Sequence, residues 1–83
     1  MNNGIVEIDL HGMNTYKAKI LIDSQLRRAN GSAYYIRLIH GFHSGTELKE
    51  MIQDAYGNGK HPKVKRIKNG TNPGITDLVL REL

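Results

Sequence analysis

Two side chains that can transfer a proton stand two positions apart near the start of the sequence. Asp9 and His11 belong to an alternating run of apolar and polar residues that predicts a β-strand at 5–10. Alternate residues of a strand share one face, so we expect both side chains to point away from the apolar side. A histidine beside a carboxylate can act as general base or acid, and the pair also offers ligands to a divalent cation such as Mg²⁺ or Mn²⁺. The residues alone leave both roles open.

A second polar segment begins at His40, directly after the next apolar run. Ser44 and Glu47 have the spacing of a capping box, which predicts that a helix begins there. A helix N-terminus attracts phosphate through its free N–H groups and its dipole. Gly41 and Gly45 would let a ligand approach the backbone closely. The segment therefore predicts a phosphate-binding turn with a second histidine that can transfer protons.

The hydrophobic pattern predicts the elements that position these two segments. Alternation and apolar runs predict strands at 5–10, 34–39, 64–67 and 76–81, and helical spacing predicts helices at 15–29 and 44–56. The order β-α-β-α-β-β predicts an α/β fold, in the form of an α+β two-layer sandwich. We expect a mixed four-stranded sheet with both helices packed on one face. The length allows one domain, covering residues 1–83.

The first strand, the first helix and the second strand form a βαβ unit. Such a unit predicts that its two strands are parallel. Ligands of open α/β sheets bind outside the carboxyl ends of parallel strands. Asp9, His11 and His40 all lie at or just after such an end, so we expect one polar site that contains both segments.

Composition and charge indicate which partners to expect. The chain has 12 lysines and arginines against 8 aspartates and glutamates, a net charge of +4, and no cysteine. The lack of cysteine excludes disulfides, cysteine-ligated zinc and thiol nucleophiles. No apolar run is long enough to span a bilayer, so we expect a cytoplasmic protein with no membrane partner. The positive charge favours DNA or RNA. The predicted nucleic-acid contacts are Gly12, Arg37, Gly41, Phe42, His43, Gly45, Lys63, Lys65, Arg66 and Lys68.

These motifs resemble the Smr (small MutS-related) domain family over nearly the whole chain. The resemblance rests on Asp9-Leu10-His11-Gly12 before one helix, Ile39-His40-Gly41 before the next, and the closing segment 73–80. It implies a domain that binds branched or structured nucleic acid and has endonuclease activity. It also implies a role in DNA repair and recombination, or in messenger RNA cleavage on stalled ribosomes, with repair proteins or the ribosome as partners. The functional residues that it implies are Asp9, His11, His40 and Gly41.

One position departs from the His-Gly-x-Gly-x-Gly pattern of the family, because His43 stands in place of the middle glycine. Glycine permits backbone conformations that histidine rarely adopts. A non-catalytic module that binds nucleic acid or the ribosome is therefore the alternative to an endonuclease. His43 could instead supply a side chain to the site, and Phe42 a surface for base stacking. A protein-interaction role for the basic strand and a site for a phosphorylated small molecule are further alternatives.

Overall fold

The computed structural model describes residues 4–29, 31–41, 46–69 and 72–82. Within these ranges the chain forms four strands and two helices in the predicted order. They are β1 (Ile5–Asp9), α1 (Thr15–Arg28), β2 (Tyr35–Ile39), α2 (Thr46–Tyr56), β3 (Arg66–Asn69) and β4 (Ile75–Val79). The predicted α+β fold with a mixed sheet is confirmed. Neither of the helices in these ranges has the length and apolar character needed to cross a membrane.

The third strand lies two residues later than the sequence predicts. β3 begins at Arg66 rather than at Val64. The N–H of Val64 donates to the carbonyl of His61 at 3.1 Å, which closes a turn, and the backbone first pairs with Val79 at Lys65. Val64 is nevertheless buried. The apolar residue that suggested a strand therefore contributes to the core from a turn.

The sheet has the strand order β1-β2-β4-β3. β1 and β2 are parallel, which confirms the βαβ prediction, and the other two pairs are antiparallel. Asp9 lies opposite Ile39, which in turn lies opposite Ile75. The carboxyl ends of β1 and β2 and the start of β4 therefore meet at one end of the sheet. We call it the Asp9 end.

Both helices pack on one face of the sheet, as predicted. Alternate residues of the strands on that face are buried against the apolar stripes of the helices. The core residues include Ile8, Leu10, Ala18, Ile22, Leu26, Ile36, Leu38, Leu48, Ile52, Tyr56 and Leu78. The intervening strand residues, including Glu7, Asp9, Arg37 and Asp77, lie on the opposite, helix-free face.

Side-chain hydrogen bonds hold α1 at its start and against α2. Asn14 caps the helix, because its Oδ1 accepts from the Lys17 N–H at 2.7 Å. Asp23 accepts from the Tyr56 hydroxyl at 2.6 Å and from the Lys19 ammonium at 2.8 Å. Burial raises the pKa of Asp23, but the two hydrogen bonds and the nearby charge of Lys19 together outweigh burial. The pKa of Asp23 therefore lies below its ordinary value. Burial and the nearby carboxylate raise the pKa of Tyr56, so its hydroxyl stays protonated as a donor.

Tyr56→Phe is expected to lower the free energy of unfolding by about 1.5–3 kcal/mol, because a hydrogen bond to a charged acceptor is lost while the ring stays. It should also raise the pKa of Asp23 toward the ordinary carboxyl value. The folded pKa of Asp23 lies below the unfolded one, so the carboxylate's contribution is present at neutral pH and is lost as the pH falls through the folded pKa. Urea unfolding at pH 7 and NMR titration of the carboxyl group measure the two effects.

Tyr16→Phe is the matched control for this substitution, because Tyr16 is 75% exposed. It should leave stability unchanged. A Tyr56→Phe variant with the stability of the wild type and an unchanged Asp23 pKa would show that the hydroxyl contributes nothing.

Candidate functional site

The chain turns sharply as it leaves β1. Leu10 is fully buried, and its N–H donates to the carbonyl of Ile39 at 2.8 Å, which extends the pairing with β2. The N–H of Met13 then donates to the Leu10 carbonyl at 2.9 Å and closes a four-residue turn. Gly12 has a φ of 81°, a left-handed conformation that glycine adopts without strain. The turn leaves His11 exposed.

Asp9 and His11 form a hydrogen-bonded pair at the surface. Asp9 Oδ1 accepts from the backbone N–H of His11 at 3.1 Å and contacts its ring Nδ1 at 2.9 Å. An ionised carboxylate only accepts, so Nδ1 carries the ring hydrogen and Nε2 of the neutral ring can take up a proton. The ring hydrogen bond, followed by the backbone one, lowers the pKa of Asp9. The two side chains are 61% and 74% exposed, so a ligand can reach both.

Gly41 brings the second predicted segment next to the first. A Cβ added to Gly41 would lie 3.9 Å from the Cβ of His11. The φ of Gly41 is 78°, so any side chain there would be strained. Asp9, His11, Gly12 and Gly41 therefore share one small surface at the Asp9 end.

His40 lies beneath this surface and is only 2% exposed. Its Nδ1 lies 2.8 Å from the carbonyl oxygen of Gly41, and its Nε2 lies 2.8 Å from Oγ1 of Thr76. A carbonyl only accepts, so Nδ1 donates to Gly41, and Nε2 of the neutral ring accepts from the threonine hydroxyl. Both ring nitrogens of this predicted catalytic residue are thus engaged inside the protein.

The residues before and within β4 hold the backbone of His40 and Gly41. The carbonyl of Gly74 accepts from the N–H groups of both, at 2.9 and 3.0 Å. Asn72 Oδ1 accepts in turn from the Gly74 N–H at 2.8 Å. Neither Gly74 nor Thr76 is among the site residues predicted from sequence. The signal for Thr76 would have been a hydroxyl at a core-facing strand position, where an apolar residue is usual.

Two of the predicted phosphate contacts lie on the helix-free face, in a row of alternating charges. Arg37 donates to both carboxylate oxygens of Asp77, at 3.0 and 3.2 Å, and its Nη1 lies 4.0 Å from Glu7. The Asp77 hydrogen bonds raise the pKa of Arg37. Lys68 is exposed, and its Nζ lies 5.8 Å from the centre of the Tyr35 ring. The charge of Arg37 is therefore compensated within the sheet, whereas Lys68 projects to the surface.

The remaining predicted cations precede or begin β3, at the opposite end of the sheet; they are Lys63, Lys65 and Arg66. Arg66 stands opposite Val79, whereas Asp9 is level with Ile75. At about 3.3 Å per residue and 4.8 Å per strand, this offset puts Arg66 roughly 19 Å from Asp9. The structure therefore separates these three cations from the Asp9 end.

The arrangement of strands and helices matches a solved structure, the "Crystal structure of the Smr domain of Thermus thermophilus MutS2". The two have a TM-score of 0.78 and 24% sequence identity, over 93% of this chain and 99% of that chain. The chain has the Smr-domain fold. No protein-family model matches the sequence, and no curated protein matches it.

Three predicted contacts of this Smr-fold domain, in the turn after β2, cannot be placed in the site: Phe42, His43 and Gly45 lie outside the described residues.

The predicted divalent cation has few protein ligands among the described residues of the Asp9 end. Across the parts of the chain that the structure describes, no group of three or more His, Cys, Asp or Glu side chains could hold a metal ion. Asp9 and His11 offer two ligands, so Mg²⁺ or Mn²⁺ bound there would need further oxygens from substrate or water. Proton transfer by the Asp9–His11 pair needs no such additional ligands.

Thr76→Val keeps the shape of a buried side chain in the Smr-fold domain but leaves Nε2 of His40 without its partner. We expect it to lower the free energy of unfolding by about 1–3 kcal/mol, the cost of an unsatisfied buried polar atom. Thr76→Ser keeps the hydroxyl and should preserve the ¹⁵N NMR shifts of the His40 ring, which Thr76→Val should move. Wild-type stability together with unmoved ring shifts in Thr76→Val would contradict the assigned hydrogen bond.

Proposed function

We propose that this Smr-fold domain binds DNA or RNA and hydrolyses a phosphodiester bond at the Asp9 end. The observation that supports this most directly is the histidine that stands exposed at the surface, hydrogen-bonded to a carboxylate. Gly12 and Gly41 flank it, and neither glycine carries a side chain that could cover it. The net charge of +4 favours a polyanionic substrate over a neutral one.

His11 is the general base in this proposal. A water oxygen attacks the phosphorus while Nε2 of His11 takes the water's proton, the bond to the leaving oxygen breaks, and that oxygen is protonated from solvent. On RNA, the neighbouring 2′-hydroxyl can attack instead: His11 takes its proton, the 5′-oxygen leaves with a proton from solvent, and the product is a 2′,3′-cyclic phosphate. The pKa of Asp9 is lowered by its hydrogen bond to the ring, so the carboxylate stays ionised and stabilises the imidazolium that forms.

We assign His40 a positioning role instead of direct contact with substrate. Its buried ring connects the Gly41 carbonyl to Thr76, and the Gly74 carbonyl holds the backbone of the same turn. These contacts maintain the short distance between Gly41 and His11. A substitution at His40 would therefore act by displacing Gly41.

Additional contacts to the nucleic acid are proposed from the residue types in the sequence. Phe42, His43 and Gly45 are proposed to contact phosphate or a base, and exposed Lys68 to contact phosphate on the helix-free face. A divalent cation would take Asp9 as a carboxylate ligand and would neutralise charge on the phosphate. Roles in DNA repair and recombination, or on the ribosome, in the cytoplasm, are proposals of the same kind.

Asp9→Asn and His11→Gln are expected to reduce cleavage by about 100-fold or more, because each disables the proton-transfer pair. Binding should be largely retained, since neither residue carries the positive charge that attracts the phosphates. The assay uses branched DNA and structured RNA, each with and without Mg²⁺ or Mn²⁺, with affinity measured in parallel.

Glu7→Gln is the matched control, because it removes the same charge from the same face of β1, two residues earlier. It should leave cleavage intact. Cleavage that survives in the Asp9→Asn/His11→Gln double variant would overturn the site assignment. Wild-type protein that binds without cutting would favour the non-catalytic module, and wild-type protein that does not bind would contradict the nucleic-acid role.

A further inference from the structure

A group of cations comes together at the end of the sheet opposite Asp9. Arg27 and Arg28 lie in the last turn of α1, Lys63 and Lys65 precede β3, and Arg81 follows β4. All five side chains are exposed. We call these five residues the basic end.

A groove of about 270 Å³ opens beside three of these side chains, Lys63, Lys65 and Arg81. Its floor and rim include Ala29, Ala33, Leu80, Lys63, Lys65 and Arg81. A neighbouring groove shares the two alanines and reaches Arg28. An apolar floor with a cationic rim suits the sugar and phosphate groups of a nucleic-acid backbone.

Two side chains of the basic end are held in place by the protein itself. Lys63 Nζ donates to the carbonyl of Leu26 at 2.7 Å. Arg81 donates to the carbonyl of Gly31, and its guanidinium lies 5.9 Å from the centre of the Tyr34 ring. An ammonium group has three N–H donors and a guanidinium has five, so both keep donors for a ligand. Binding to such preorganised groups costs less conformational entropy.

Stabilisation of α1 explains only part of this cluster. Cations in the last turn of a helix, or at its terminal carbonyls, interact favourably with the helix dipole. That effect covers the two arginines of the last turn, and Lys63 through its hydrogen bond to Leu26. It does not cover Lys65, which precedes β3, or Arg81, which donates to Gly31 beyond the end of α1. The dipole supplies only about half a negative charge. Glu82, which also follows β4, is paired with Arg66 at 2.6 Å, and the charge of Lys65 also helps to lower its pKa, so this one carboxylate offsets part of the positive charge. The basic end therefore keeps an excess of positive charge.

We propose that the basic end is a second contact for the phosphate backbone of the same polynucleotide that reaches the Asp9 end. The inference rests on the proposed nucleic-acid function. The start of β3 lies roughly 19 Å from Asp9 by strand geometry. A stacked strand rises about 3.4 Å per nucleotide, so the two contacts are about six nucleotides apart. A strand shorter than this engages only one end.

Binding of oligodeoxyadenylates, whose bases stack, at about 4 and 12 nucleotides tests the second contact, because one is shorter and one longer than this spacing. Affinity is measured by fluorescence anisotropy over a series of salt concentrations. The wild type should gain affinity with length. Arg28→Gln/Lys65→Gln should shrink that gain and reduce the slope of log affinity against log salt by about 1.4, since each phosphate contact on a single strand contributes about 0.7.

Lys49→Glu, on α2, is the charge-matched control, because it changes the net charge by the same amount as the double variant. It should leave the salt slope and the gain of affinity with length unchanged. Arg28→Lys/Lys65→Arg keeps both positive charges and should behave like the wild type. An unchanged slope in Arg28→Gln/Lys65→Gln, or an equal loss in Lys49→Glu, would overturn the second contact and leave the proposed function standing. A wild type that binds branched DNA or structured RNA but neither oligonucleotide would overturn the second contact alone, and one that binds none of them would overturn both.

Discussion

The position of Gly41 at the Asp9 end depends on the two hydrogen bonds of the buried His40 ring. One ring nitrogen donates to Gly41 and the other meets the hydroxyl of Thr76, so one side chain connects the turn after β2 to β4. An imidazole buried beside an apolar core is costly unless both nitrogens are paired. Gly41 is therefore held where its carbonyl can accept, and this position places its Cα beside His11. The exposed pair that carries the proposed chemistry thus lies beside a glycine that a buried histidine holds in place.

The distribution of charge along the sheet separates the Asp9–His11 pair from the cations that are proposed to bind phosphate. A lysine next to Asp9 would compete with His11 for the carboxylate and would weaken its hold on the ring. On the helix-free face, Arg37 is instead compensated by Asp77, and the excess positive charge collects at the basic end. In the proposed function, attraction of a polyanion and proton transfer therefore belong to different ends of a small domain. A flexible polynucleotide can span both.

Local patterns were sufficient to predict the element order, the parallel pair and the faces of the strands, because alternation and helical spacing decide which side of each element is buried. The predicted start of β3 was wrong, because Val64 lies in a turn and is nevertheless buried, as an inward-facing strand residue would be. The burial of His40 was not visible in the sequence. A histidine after a strand looks the same whether it faces water or the core, and here the decision depends on Thr76, far along the chain. The separation of the basic residues from Asp9 depends on the strand order of the sheet, which places β3 at the far edge from β1. That order is set by pairing between segments that are distant in the sequence.

In the proposed function, a phosphate of the nucleic acid binds beside Asp9 and His11. NMR titration of the folded domain with a short DNA or RNA strand measures this directly, because each backbone amide and the His11 ring report separately. We predict chemical-shift changes at residues 9–12 and at Gly41 that saturate together as the strand is added. Saturable shifts confined to other surfaces, with residues 9–12 and the His11 ring unmoved, would contradict the claim.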